Sequence, residues 1–406
     1  MRNVVLLTVD SARKDSFGYC GGAGNLSPTF DELASQSLVF TRAHTTGPYT
    51  QASFPGLLTS SHFLEHGPPK GLSPKRTLVS EPLQDAGIVT AAFHSNPYLC
   101  QYLGWNRGWD AFYDSMDEEV ELRIPYVRGD LVTRKAIEWL KAHSQGRPCK
   151  PFFMWLHYMD IHEPYMPDRQ FVEMVDPSMD LSQDEMYALF TDVLLERDVS
   201  NPEDVNTLRR LYDIHVREVD TYFADFLDCL DDLSVLSETA IIITSDHGDE
   251  FNDHGGLSHD AKMYSELIGA PLLIYGAGEM GTCDEVVSNV DIPPTIVNLF
   301  GLPAVEAFQG RTIVPSSEDA VERGAFGEAF DQRSKKGGDP KRDIYFYCEG
   351  DLKIIHRPEP ESWELYDLSA DPLEQTNIVE SSLSAEYLKT RILPRVRRWI
   401  AERTGE

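Results

Sequence analysis

Asp10 closes the apolar run Val4-Val5-Leu6-Leu7-Thr8-Val9, and Asp246-His247 closes a second run that begins Ala240-Ile241-Ile242-Ile243. Two carboxylates and an imidazole make a donor set for a divalent cation, because carboxylate oxygen suits hard ions and imidazole admits the transition metals. The imidazole favours Mn2+ or Zn2+, and the carboxylates leave Ca2+ and Mg2+ open. Thr50 is read as a further donor whose hydroxyl, beside a cation, becomes acidic enough to act as a nucleophile at neutral pH. Taken alone, the triplet Asp246-His247-Gly248 is an ordinary turn cap. It gains meaning only if distant parts of the chain are brought together.

The elements that would do this are legible as hydrophobic runs. Each of the two runs reads as a buried strand whose last residue turns polar, which is where ligands collect at the carboxyl edge of an open parallel sheet. Ser27-Pro28 followed by acidic Asp31 and Glu32 reads as a helix start. Residues 39–43 read as a short strand leading to a loop that carries Thr50. Residues 88–93, 151–158 and 271–275 read as further strands, and 208–231 as a long amphipathic helix. Strands alternating with helices predict a three-layer α/β sandwich with a mostly parallel central sheet. From about residue 316 the texture changes. Residues 343–349 and 352–356, joined by Gly350-Asp351, read as a hairpin, 363–368 as another strand and 384–403 as a closing helix. The expected organisation is a catalytic domain over 1–315 and a small C-terminal α+β subdomain with an antiparallel sheet over 316–406.

Composition narrows the partners. The 406 residues carry 36 Lys and Arg against 66 Asp and Glu, a formal net charge of -30. Such a surface repels nucleic acid and anionic membranes, so neither DNA nor RNA is expected as a partner. Lys is scarcer than Arg, and the acidic excess is read as adaptation to high salt, where self-repulsion is screened. The cysteines Cys20, Cys100, Cys149, Cys229, Cys283 and Cys348 lack C-x-x-C spacing, so free thiols are expected and not a zinc knuckle or a disulfide framework. No apolar stretch reaches the length of a membrane span, and the run before Asp10 is too short for a signal sequence; a cytoplasmic protein is the default expectation.

Read together, the motifs resemble the sulfatase family of the alkaline-phosphatase superfamily. Ser27-Pro28-Thr29-Phe30-Asp31-Glu32-Leu33-Ala34 is similar to the family's T-P-N-L-D-x-L-A, and Ser53-Phe54-Pro55-Gly56-Leu57-Leu58-Thr59 to the end of its nucleophile segment. Met159-Asp160-Ile161-His162-Glu163-Pro164-Tyr165 resembles its D-P-H-x-P-Y. Ser245-Asp246-His247-Gly248 with Asp253-His254-Gly255 resembles S-D-H-G and the following D-H-G, and Glu364-Leu365-Tyr366-Asp367-Leu368 matches late in the chain. The resemblance implies the alkaline-phosphatase-like fold, one divalent metal and cleavage of a sulfate or phosphate ester of a small molecule, carbohydrate or lipid headgroup.

The departures from the pattern bear on the chemistry. Family sulfatases carry C-x-P-S-R or S-x-P-S-R, whose first residue becomes formylglycine; here the stretch is Thr50-Gln51-Ala52-Ser53-Phe54, and threonine gives no aldehyde by that route. The family's second Asp after Asp10 is Ser11. A Thr50 nucleophile with Asp10, Asp246 and His247 looks more like the phosphodiesterases and phosphoglycerol transferases of the superfamily. The expected activity is metal-dependent hydrolysis with phosphodiesters preferred; transfer to an alcohol, arylsulfatase-like hydrolysis and an inactive binding protein of the same fold are the alternatives. His94 and Asn96 stand where the family has one cation, His259 falls near its second lysine, and His162 matches its histidine near the leaving group. These are nominated to stabilise an oxyanion or protonate a leaving oxygen. A second metal near Asp160, His162 and His259, the organic part of the substrate and the oligomeric state are left open. His157, well before the end of its strand, reads as core.

Overall fold

The computed structural model describes residues 2–22, 25–65, 71–145, 150–315, 324–330 and 342–404; Cys149 lies outside them. The strands in chain order are β1 Asn3–Val9, β2 Ser37–His44, β3 Val89–His94, β4 Ala111–Tyr113, β5 Phe152–Tyr158, β6 Thr239–Ser245, β7 Glu250–Phe251, β8 Leu257–Ser258, β9 Leu272–Tyr275 and β10 Gly281–Ser288. The C-terminal strands are β11 Gly324–Ala329, β12 Ile344–Glu349, β13 Leu352–Arg357 and β14 Ser362–Asp367. The main sheet has the order β10-β2-β9-β6-β1-β5-β3-β4. Its strands run parallel except β9, which is antiparallel to both β2 and β6.

The apolar runs are buried strands because both faces of the sheet are covered. Val5, Leu7 and Val9 point into one core, with the helices Gly129–Ser144 and Pro202–Asp232 over it, while Val4 and Leu6 point into the other. That second core is closed by the helices Thr50–Thr59, Ser80–Asp85 and Ile292–Leu299. Alternation along β1 therefore feeds two layers at once, which a strand does when its side chains take opposite faces. Each fully buried Leu or Ile contributes about 2 kcal/mol relative to exposure, an upper estimate.

Register sets where the polar strand ends emerge. Val9 lies opposite Tyr158 of β5 and Ser245 of β6, so Asp10 and Asp246 leave adjacent strands side by side at the same edge. The expected fold class is the observed one. Strands β4 and β10 and the helix Ile292–Leu299 extend it beyond the sequence reading, β4 being too short for a periodic signal and β10 largely charged at its start.

The C-terminal strands form an antiparallel sheet in the order β11-β12-β13-β14, with the helix Ser384–Thr404 packed on it through Leu388, Ile392, Val396 and Trp399. Gly350, at φ 58°, turns the hairpin between β12 and β13 as its position predicts. This sheet braces the segment before Thr50: the Glu328 N–H donates to Thr46 O at 2.9 Å, and the Phe330 N–H to Tyr49 Oη at 3.0 Å. Gly327 permits the approach, because a Cβ there would lie 2.2 Å from the Phe346 ring and 2.8 Å from Thr46 O. Buried Lys353 and Glu374 pair beneath the sheet, and Glu374 accepts from the Ser265 N–H at 2.6 Å.

Candidate active site

Asp10, Asp246 and His247 are all fully buried, and one ligand atom from each lies within 4.8 Å of the others. His247 Nε2 is 3.6 Å from Asp10 Oδ1 and 3.4 Å from Asp246 Oδ2. The tautomer follows from its other nitrogen. Nδ1 sits 3.0 Å from Gly248 O, an acceptor only, so Nδ1 carries the proton and Nε2 presents a lone pair to the carboxylates. Burial pushes the His247 pKa down to about 4, which keeps the ring neutral. Among the described residues neither Nε2 of His247 nor Oδ2 of Asp246 has a hydrogen-bond partner. A buried imidazole lone pair and a buried carboxyl oxygen that face each other without a hydrogen-bond partner form an arrangement that a cation satisfies. The donor set fits one divalent ion.

The two carboxyls are not equivalent. Burial drives the Asp246 pKa well upward and nearby Asp10 adds to it. Burial opposes ionisation of Asp10 too, but the adjacent His157, with His162 and His247, outweighs it and holds Asp10 below the usual carboxylate range. Asp10 is further held by the Asn96 Nδ2–H at 2.9 Å and the Ser11 Oγ–H at 3.0 Å, and the Ser11 N–H reaches Asp246 Oδ1 at 3.3 Å. Ser11 adopts φ 56° to do so.

His157 changes its reading. It is buried within β5 as expected, but its Nε2 lies 3.3 Å from Asp10 Oδ2, and its Nδ1 lies 2.9 Å from Thr8 Oγ, which accepts from Trp155 Nε1 at 2.9 Å. It is a neighbour of the acidic cluster and not merely core. The available signal was pairing: β1 and β5 set Thr8 opposite His157, two residues before Asp10.

Thr50 also differs from expectation in its element. It opens the helix Thr50–Thr59 and does not sit in a loop, at the helix end toward which the backbone N–H groups point; the Ala52 and Ser53 N–H groups there donate to Tyr49 O at 3.0 and 3.1 Å. Phe54, one turn on and on the same face, packs its ring 5.0 Å from that of His157. The helix is pinned from behind by the Asn289 Nδ2–H, which donates to Ser53 Oγ at 3.1 Å. Thr50 is thus carried on a helix whose face rests against the histidine beside Asp10.

The remaining nominees divide. Asn96 joins the cluster through Asp10. His259 lies with its ring 4.5 Å from His247 and 5.2 Å from His162. Its Nδ1–H donates to Asp249 Oδ1 at 2.8 Å, and Asp249 Oδ2 accepts from Tyr165 Oη at 2.6 Å. Burial opposes charge on His259, but Asp249 overrides it and raises the pKa to about 9. Asp249 was not nominated, and Tyr165 entered only as the end of the D-P-H-x-P-Y-like stretch; the fold alone joins both to His259. His162 donates from Nδ1 to Glu163 O at 2.7 Å, which leaves Nε2 for other contacts. His94 stands apart: its ring stacks on Trp155 at 5.0 Å, both nitrogens are buried without partners among the described residues, and burial keeps it neutral. Asp160 accepts from the Gly129 N–H at 2.9 Å and lies near Glu218; a second cluster of potential ligands instead joins His247, Asp249 and His259.

An α/β sandwich with an acidic and imidazole cluster at the carboxyl edge of its parallel strands defines a hydrolase-like architecture of the alkaline-phosphatase type. The chain matches the sulfatase family over residues 2–302 and the C-terminal region of N-sulphoglucosamine sulphohydrolase over 254–398. The chain belongs to the sulfatase family. It is 22% identical to an arylsulfatase of Clostridium perfringens over 96% of this chain and 92% of that protein. It is 29% identical to arylsulfatase K of Gallus gallus over 43% of this chain and 27% identical to choline-sulfatase of Rhizobium meliloti over 60%. These two matches span 34% and 49% of the relatives' own lengths. A phosphonate monoester hydrolase of Agrobacterium radiobacter shares the fold with a TM-score of 0.79 at 20% identity, over 98% of this chain and 96% of that one.

Proposed function

We propose that this chain is a divalent-metal-dependent ester hydrolase that uses Thr50 as an unmodified nucleophile and prefers phosphate diesters to sulfate esters. The observation that carries the reading is the buried cluster in which the His247 Nε2 lone pair faces the Asp10 and Asp246 carboxyl groups, with neither Nε2 nor Asp246 Oδ2 hydrogen-bonded among the described residues. Asp10, Asp246 and His247, with Thr50, would hold the cation, which when bound supplies charge neutralisation and acidifies the threonine hydroxyl. Thr50 Oγ attacks phosphorus or sulfur, the bond to the leaving alcohol breaks, and a Thr50 ester forms that water then hydrolyses. His259, kept cationic by Asp249, and His162, whose ring lies 5.2 Å from that of His259, would stabilise negative charge and protonate the leaving oxygen. Asn96 and His157 hold Asp10 in place as a carboxylate.

The preference for diesters rests on the missing formylglycine residue and on neutral or imidazole groups where the family has lysines. A diester carries one negative charge, so it demands fewer fixed cations than a dianionic phosphate monoester; a sulfate ester is also a monoanion, so its disfavour rests on the missing formylglycine residue. With Mn2+ present, bis-aryl phosphate is expected to be cleaved faster than aryl phosphate and aryl sulfate. Robust arylsulfatase activity without phosphodiesterase activity sinks the preference.

The acidic surface is proposed to be an adaptation to high salt. The melting temperature is expected to rise steeply between low and molar KCl, because screening removes self-repulsion among 66 acidic side chains. A melting temperature that stays level across that range refutes the adaptation.

A further inference from the structure

Beyond the C-terminal end of the helix Thr50–Thr59 lies a 450 Å³ cavity bounded by His62, Arg311, Phe326, Tyr347, Arg391 and Arg395. In a chain with a formal charge of -30, a convergence of three arginines is against the trend. The acidic residue on the wall, Asp291, already accepts from the Ser288 N–H at 3.0 Å and the Arg311 N–H at 2.9 Å. Arg391 is offset by Glu349 at 3.3 Å. Arg395 and Arg311 have no carboxylate within ion-pair distance among the described residues. Arg395 lies over the Phe326 ring at 4.5 Å and donates to His62 Nε2 at 3.1 Å. Arg391 and Arg395 sit four residues apart on one helix, a like-charge spacing that disfavours the helix unless an anion intervenes.

Among the described residues three donors lining this cavity are buried without partners, the Ser288 hydroxyl and two nitrogens. One is Arg311 Nη2. The other is on His62, which is 4% exposed. Burial, with Arg395 and Arg76, holds His62 far below its ordinary pKa, so the ring is neutral. Its Nε2 accepts from Arg395, which places the proton on Nδ1, and Nδ1 has no partner. Buried donors are normally satisfied, and guanidinium forks match pairs of oxygens on a tetrahedral anion.

We propose that this cavity binds a tetrahedral oxyanion of the phosphate or sulfate type, free or as the end group of a small molecule, through Arg311, Arg395 and His62 Nδ1–H. It is separate from the acidic cluster: the intervening helix has ten residues, a length of roughly 15 Å. The ligand is therefore not the reacting ester.

The test is calorimetric titration of inorganic phosphate and of sulfate into the EDTA-treated full chain, with chloride as control, for wild type, Arg311→Gln and Arg395→Met. The expected result is one saturable oxyanion per chain, bound about tenfold or more weakly by each variant, with ester turnover of the metal-loaded variants essentially unchanged. Glycerol phosphate binding tighter than inorganic phosphate assigns the site to an ester end group, and weaker binding to the free ion. No saturable binding up to about 10 mM, equal affinity in Arg311→Gln, or an equal response to chloride overturns the proposal. Should Arg395→Met fail to fold by circular dichroism, the half-buried Arg311 decides alone.

Discussion

Thr50→Ala is expected to lower turnover on the order of a thousandfold or more while leaving cation binding in place, and Thr50→Ser to keep much of the activity. The hydroxyl is the only group in the proposed reaction that forms a covalent bond, and deleting a covalent nucleophile removes the step and not merely a contact. The side chain is small and opens a helix whose position is fixed by Phe54 on His157 and by Ser53 on Asn289, so alanine leaves the backbone undisturbed. Steady-state kinetics on a diester, with Mn2+ affinity measured in parallel, separates the two effects. An active Thr50→Ala enzyme removes the nucleophile assignment; lost Mn2+ binding in that variant shows that the hydroxyl is needed to hold the ion.

Asp246→Asn is expected to change stability in opposite directions with and without metal. In the metal-free protein the Asp246 carboxyl is buried against Asp10, and its pKa is raised for that reason. A carboxyl whose folded pKa is raised contributes stability below its unfolded value near 3.8 and loses it as pH rises through the folded value. Asparagine keeps the Oδ1 that accepts from the Ser11 and His247 N–H groups, and it offers an Nδ2–H where Oδ2 faced the His247 Nε2 lone pair. The metal-free variant should therefore be more stable than wild type at neutral pH, by about 1 kcal/mol or more, with the gap narrowing toward pH 4. With saturating Mn2+ the order should reverse. A cation at a thousandfold over its Kd stabilises the native state by about 4 kcal/mol, and losing one anionic ligand weakens binding by about a hundredfold or more. Thermal melts in EDTA and in Mn2+ read both signs. If the variant is stabilised by Mn2+ as much as wild type, the cation is not held by Asp246.

The acidic cluster was legible because its residues end strands. An apolar run that turns polar at its last residue marks a strand leaving a buried sheet, and two such runs in one chain converge whenever they pair in parallel, as Val9 with Ser245 does. The C-terminal hairpin was legible for the same local reason, with Gly350 marking its turn. Thr50 was legible as a residue but not as a helix start, since Pro55 inside the following segment argues against a helix and tertiary packing overrides it.

Other parts of the site depend on which elements meet. The alternation along β5 shows that His157 faces one side of the sheet; only its pairing with β1 makes its neighbour Asp10 and not more core. His94, in register with His157 on β3, ends against Trp155 and Phe112 with no polar partner. Nothing in the spacing of His94 distinguishes it from its functional-looking neighbour Asn96, which reaches Asp10. Asp249, Tyr165 and His259 come from separate segments and form one hydrogen-bonded chain only after the loop beyond β6 folds back. Sequence by itself determined the strand ends, the presence of Asp10, Asp246 and His247 at them and the two-layered burial of the sheet, because these follow from local periodicity and side-chain chemistry. Tertiary structure alone decided the partners of each donor, because charge state and orientation in a buried site are set by contacts between residues from 10 to 235 positions apart.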